Sequence, residues 1–447
     1  MNFGSRIPHL LLGGAIILAT FLGACQSNES ATGSKVEIKQ VNGQYDFYID
    51  GERFELKGAG LDINAGQNFQ ALAEAGANAF RTWSTDAAPM ELDSAVKYDL
   101  KIAMGIAMGK ELHGFDYGDT AAVRKQLARI KEEIITYKDH PALLCWVVGN
   151  ELNLLIMPDG SLGVVNPKAY EALAEIVDYI HEVDPHHPVT TTFAAGAYGD
   201  HIKVMLEHCP QIDFLSYQVY GGLAGLVNQE MANGIDIPYT VTEYGPLGHW
   251  EMPSTSWGRE IEENSTQKAD GLRDRLAKGF TADTTGRNMG GFAFLWGQKQ
   301  ERTPTWYGIF NKDGRATAVA DELTLYWSGA YPADRAPAIS SATLDEKVST
   351  DNITLEPAQA YTFAVNAHDH AGDSLRYVWK MMKEVDVRSQ GGAFEKEPDY
   401  LDIEVVAETN GQLTFRTPAE PGQYRIFSYI YDQHKVANAN IPFLVEE

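Results

Sequence analysis

The chain of 447 residues carries 36 Lys and Arg against 61 Asp and Glu, a formal net charge of −25, and 44% of it is hydrophobic. A chain of this length and apolar share is globular, with room for a large barrel and a smaller module. The acidic excess runs along the whole chain, which argues against nucleic acid and anionic substrates and suits a neutral ligand; three cysteines are too few for a disulfide framework.

Arg6 precedes an apolar run from Leu10 to Leu22, the length of a signal-peptide core and short for a membrane span. The run closes on Leu22-Gly23-Ala24-Cys25. This ending resembles the lipobox of bacterial lipoproteins, in which the Cys is acylated and becomes the first mature residue. The resemblance implies a leader over 1–24, lipidation of Cys25 and a polar tether over 25–35. It also implies a protein anchored in a membrane of the bacterial cell envelope, at the periplasmic face or the cell surface. Cys145, inside an apolar run, and Cys209, before Pro210, read as inert thiols.

Residues 36–57 alternate in short runs broken by Asn42-Gly43 and Asp50-Gly51, which predicts a hairpin with type I′ turns. Short apolar runs then predict strands at 54–58, 77–83, 101–106, 143–148, 189–193, 213–220, 238–243 and 291–296. Helical periodicity predicts helices at 68–75, 88–98, 120–137, 167–183, 265–280 and 319–327. The run Leu143–Val148 is apolar throughout, as in a parallel strand buried on both faces. Strands alternating with helices over 36–330 fit a (β/α)8 TIM barrel, which needs about 250 residues. A doubly wound open sheet is the rival. Gly58-Ala59-Gly60-Leu61-Asp62-Ile63 lacks the third glycine of a dinucleotide phosphate turn, which counts against it.

Beyond a Pro-punctuated linker at 331–337 the period changes to two, at 361–365, 375–379, 412–415 and 424–431, which predicts a β-sandwich over 338–447. His368-Asp369-His370-Ala371-Gly372-Asp373, before a strand with Trp379, resembles the Ig-like modules of bacterial surface enzymes. A spacer, a packing partner for the barrel and a carbohydrate-binding module all fit. A linker of this kind is expected to carry few contacts, so the barrel should fold without the module.

Several barrel strands end in polar or aromatic residues: Arg81 and Trp83, Asn150 and Glu151, Tyr220, Glu243, Trp296. Barrel active sites lie on that rim. Glycoside hydrolysis with retention needs two carboxyls about 5–5.5 Å apart, one acid/base and one nucleophile. Asn150-Glu151 after the fourth strand, and Glu243 in Thr242-Glu243-Tyr244-Gly245 after the seventh, resemble the clan A retaining glycoside hydrolases over about 36–330. The resemblance implies Glu151 as acid/base and Glu243 as nucleophile. It further implies that Arg81 and Tyr220 hold Glu243 ionised, that Asn150 bonds the sugar 2-hydroxyl and that Trp296 floors the central subsite. The residue chemistry agrees: a guanidinium favours an ionised carboxylate, and that charge favours the protonated form of an acid beside it.

His249, Trp250, Gln298 and Trp306 lie in long loops after the seventh and eighth strands. With Trp83 they offer the flat apolar faces and polar forks that sugar binding requires. No second His or Cys stands at ligand spacing from His249, so neither a catalytic metal nor another cofactor is expected. The expected function is retaining hydrolysis of a neutral β-linked polysaccharide, with a β-glucan foremost. A transglycosylase using the same residues and a non-catalytic polysaccharide-binding lipoprotein remain as alternatives, the pair of glutamates speaking against the second. Cys25→Ser is expected to give an unacylated, soluble protein; fatty-acid labelling of that variant would refute the lipobox reading.

Overall fold

A computed structural model describes residues 33–194, 200–389 and 392–447. The expected leader, Cys25 and the first part of the expected tether lie outside the described residues. Three short antiparallel strands, Val36–Val41, Gln44–Ile49 and Glu52–Phe54, open the fold. Asn42 and Gly43 both have positive φ (52° and 86°), as a type I′ turn demands. Phe47, with Ile38, Tyr45 and Ile49 beside it, packs against Phe214 and Met289 at the starts of barrel strands, so this small sheet plugs the lower end of the barrel.

The barrel strands are Leu56–Gly60, Ala79–Arg81, Lys101–Ile106, Leu143–Val148, Val189–Thr190 with Thr192–Ala194, Leu215–Gln218, Tyr239–Tyr244 and Asn288–Ala293. All pair in parallel. The fifth is broken at Thr191: its first half pairs with the fourth strand and its second half with the sixth, which closes the ring. Residues from alternate positions, among them Ala79, Ala103, Cys145, Val147 and Phe292, fill the lower interior. Beside them the Ser216 hydroxyl links those of Thr190 and Thr240, each at 2.9 Å, so the polar groups of this interior are satisfied.

The helices form the outer ring. Asp119 caps Thr120–Tyr137 by accepting from the Ala121 and Ala122 amides, and Asn264 with Gln267 makes a capping box for Ser265–Leu276. Helices Asp200–His208 and Leu226–Ala232 follow the fifth and sixth strands, where the pattern alone predicts none. Cys145 and Cys209 are buried and free, and burial pushes both thiols up, Cys209 to about 12, which leaves them unreactive.

The last segment is a sandwich of a four-stranded and a five-stranded sheet around Phe363, Leu413, Phe415, Ile426, Ile441 and Phe443. The expectation of few contacts across the linker is overturned. Ala336 is buried, and its amide donates to Asp321 at 2.7 Å on the last barrel helix. The Glu262 carboxylate, wholly buried, accepts from Lys268, Thr303 and Thr305 of the barrel and from Asn440 of the sandwich. Arg425 of the sandwich, paired with Glu384, donates to the Glu260 carbonyl at 2.7 Å, and Lys435 pairs with Asp321. Such polar groups carry no periodic signal in sequence, yet once buried each needs its partner. Truncation after Ala336 is therefore expected to yield an insoluble or loosened barrel. A truncated protein with the urea midpoint of the full chain would show that the interface is dispensable.

Candidate active site

Backbone irregularities aim the key side chains. Ser216 lies beside Thr240 and Tyr217 beside Val241, but Gln218 lies beside Glu243. The extra residue is a bulge at Thr242, which leaves both Thr242 and Glu243 facing the barrel interior. After the fourth strand, Gly149 and Glu151 both take left-handed conformations (φ 75° and 51°), and the Glu151 amide donates to Thr192 Oγ1 at 2.9 Å. A non-glycine residue held in that region stores local strain, a property concentrated at functional sites. Trp83 reaches the interior because its neighbours are small. A Cβ on Gly60 would lie 2.4 Å from the Trp83 ring, and one on Gly105 would lie 2.6 Å from its backbone.

Glu243 is buried and receives three donors. Arg81 Nη1 (3.2 Å) and Trp83 Nε1 (2.9 Å) reach Oε1, while Tyr220 Oη (2.9 Å) reaches Oε2. Burial raises this carboxyl above its ordinary value, and Arg81 with the Trp83 and Tyr220 donors opposes the rise. The expected lowering by Arg81 is thus present but outweighed by desolvation. Burial, with Glu243 beside it, pushes the Tyr220 phenol well up, so it remains a protonated donor. Arg81 also bonds the Thr242 carbonyl at 3.0 Å and, through Nη2, Asn150 Oδ1 at 2.9 Å. Asn150 Oδ1 accepts from Gln218 and Thr192 as well, which fixes its orientation and turns its amide nitrogen to the cleft. Glu151 pairs with Lys110 at 3.3 Å.

Glu151 and Glu243 line one open cleft of about 1040 Å³ at the upper end of the barrel. Trp83, Asn150, Tyr220, His249, Trp250 and Gln298 line it too, so these expected residues come together. Arg81 lies behind Glu243 and supports it from inside the barrel. Two tryptophans are placed elsewhere. Trp296 is 2% exposed, donates to the Asn68 carbonyl and packs between Phe310 and Trp327, so it does not floor the cleft. The eighth strand ends at Ala293, three residues before its expected end, and Phe294 is the ring that faces the cleft, edge-on to Trp83 and Tyr220. Trp306 is also buried; its indole donates to the Leu247 carbonyl, and it backs His249. His249 in turn meets Glu301 at 3.3 Å. Despite burial, His249 and Lys299 hold the Glu301 carboxyl down, to about 2.

The pattern in sequence does not reveal Lys110, Gln218, Phe294 or Tyr307, all of which line the cleft. Gln218 offers one local signal, an amide closing an otherwise buried strand. Among the described residues no group of three or more His, Cys, Asp and Glu is placed to hold a metal ion.

Residues 41–255 match the family model for the TIM barrel domain of glycosyl hydrolases family 2. The fold is similar to that of Bacteroides uniformis beta-glucuronidase 2 covalently bound to cyclophellitol-6-carboxylate aziridine, at 15% identity and TM-score 0.52, over 92% of this chain and 48% of that one. It is also similar to Bifidobacterium dentium beta-glucuronidase complexed with coumarin-3-O-glucuronide, at 18% identity and TM-score 0.51, over 67% of this chain and 50% of that one. The chain thus spans about half the length of these structures, and the likeness is one of fold.

Trp296→Ala is expected to cost about 3–5 kcal/mol of stability, as for a large aromatic removed from a core. Trp250→Ala, on a ring 58% exposed, should leave the urea midpoint in place. A Trp296→Ala variant as stable as the parent would contradict the placement of that ring in the core.

Proposed function

We propose that the chain is a retaining glycoside hydrolase acting on a neutral β-linked glycan, a β-glucan foremost. The observation that carries the reading is Glu243, held by three donors, facing the same cleft as Glu151. In the first step the Glu243 carboxylate attacks the anomeric carbon while Glu151 gives its proton to the departing glycosidic oxygen. The bond to the leaving sugar breaks and a glycosyl ester on Glu243 forms. In the second step Glu151, now ionised, takes a proton from water, which attacks the anomeric carbon and releases Glu243. Asn150 donates to the 2-hydroxyl. The match to the family 2 barrel model supports this class of chemistry.

The fold neighbours are β-glucuronidases, but the charges in this cleft favour a neutral sugar over a uronate. Two of the cations that line it are held by carboxylates outside the reaction, Lys299 by Glu301 and Arg302 by Glu260 and Glu395, while Lys110 meets the acid/base Glu151. A substrate carboxylate would compete with these partners for the same cations and meet their negative charge. Aromatic rings and amides then do the recognising. The leader and Cys25 support a site of action at the bacterial envelope, on a lipid anchor.

The roles of the two glutamates are separable on aryl β-glycosides. Glu243→Ala should be inactive on every substrate. Glu151→Ala should be crippled on glycans but accumulate the glycosyl-enzyme from an aryl glycoside with an acidic phenol, and added azide should restore turnover with a β-glycosyl azide as product. Wild-type rates in either variant would refute the assignment, and product analysis separates water from sugar as the acceptor. Tyr220→Phe removes a donor that favours the ionised form of Glu243. Its carboxyl should therefore rise further, and the acidic limb of kcat/KM should move to higher pH.

A further inference from the structure

The wall of the cleft farthest from the barrel strands in sequence comes from the sandwich, through Gly392, Phe394 and Glu395. Glu395 is an anchor. Its side chain is wholly buried and accepts from the Arg302 amide (2.6 Å), Arg302 Nη1 (2.9 Å), Gln300 Nε2 (3.1 Å) and the Ser389 amide (2.9 Å). Arg302 itself is held in a left-handed conformation, φ 63°, between Glu301 and Thr303, whose backbones bond each other. One residue from this pinned carboxylate, Phe394 is 90% exposed. A single exposed apolar side chain is ordinary. This one lines the same cleft as Trp250, 58% exposed, and Leu162, 48% exposed, so three apolar faces border one groove. At about 1040 Å³ the groove lies just above the range of about 300–1,000 Å³ that suits a drug-sized ligand, more than one sugar ring fills.

We propose that the sandwich supplies a distal sugar-binding platform, Phe394, so that the cleft takes a chain of several β-linked sugars and stacks a ring remote from the catalytic pair on this side chain. A β-linked pyranose with equatorial substituents presents a flat face of C–H groups, which an exposed aromatic ring covers without needing a hydrogen bond. The pinned Glu395 fixes the backbone position from which the Phe394 side chain projects. This inference rests on the glycosidase reading and narrows its substrate to oligomers and polymers.

The test compares the parent, Phe394→Ala and Val387→Ala. Val387 belongs to the same sandwich segment and is 83% exposed but does not line the cleft. Each protein is assayed on an aryl β-glycoside and on β-linked oligosaccharides of increasing length. For the parent, kcat/KM should rise with chain length. In Phe394→Ala the ratio of kcat/KM for the longest oligosaccharide to that for the aryl glycoside should fall about tenfold, equivalent to about 1.4 kcal/mol, chiefly through KM. Val387→Ala should keep the parental ratio. A parental ratio in Phe394→Ala, or no dependence on length in the parent, overturns the platform. If the parent hydrolyses no glycoside, the reading of function fails by itself. Calorimetry with the same oligosaccharides then decides the platform: weaker binding by Phe394→Ala supports it, and equal binding or none overturns it.

Discussion

A guanidinium shut away from water sits beneath the mouth of the barrel. Arg81 can keep its charge there because its two terminal nitrogens find Glu243 Oε1, the Thr242 carbonyl and Asn150 Oδ1. Each acceptor belongs to a different feature: the end of the seventh strand, its bulge, and the turn after the fourth strand. Loss of one partner of a buried ion pair costs about 3–5 kcal/mol. The ends of the second, fourth and seventh strands are therefore tied to one geometry before any substrate arrives. That is the condition for electrostatic catalysis, since dipoles already in place need no reorganisation during reaction. Trp83 and Tyr220 complete the arrangement; Gly60 leaves room for the Trp83 ring, and Gly105 lets the Thr82–Trp83 backbone pass close to the third strand.

Much of this is readable from local pattern. Asn42-Gly43 specifies the first turn through its two positive φ angles, and Leu143–Val148 announces a doubly buried strand whose abrupt polar end carries Glu151. Features set by long-range packing are not readable in this way. Asn288-Met289-Gly290-Gly291 has no apolar alternation, so pattern places the eighth strand three residues late and moves attention from Phe294 to Trp296. Around Trp306 the polar neighbours Thr303 and Thr305 make burial look costly. They are buried all the same, because Glu262 accepts from both. The bulge at Thr242 leaves no trace in residue type, although it turns Glu243 inward.

The sandwich belongs to the same physical unit as the barrel. Its polar residues satisfy barrel groups that would otherwise be buried without partners, and one of its loops reaches the cleft through Glu395 and Arg302. Stability and substrate reach are thus coupled through one set of buried ion pairs.

The small sheet that plugs the lower barrel has a geometric consequence. Ser34 Oγ bonds the Pro141 carbonyl and the Val36 amide bonds the His186 carbonyl, both just ahead of strands whose far ends carry the cleft. The polypeptide therefore enters the described fold at the stoppered end, diametrically opposed to the mouth. A molecule moored by its N-terminal stretch would stand with its opening turned outward, free to meet a passing polymer without competition from its own mooring.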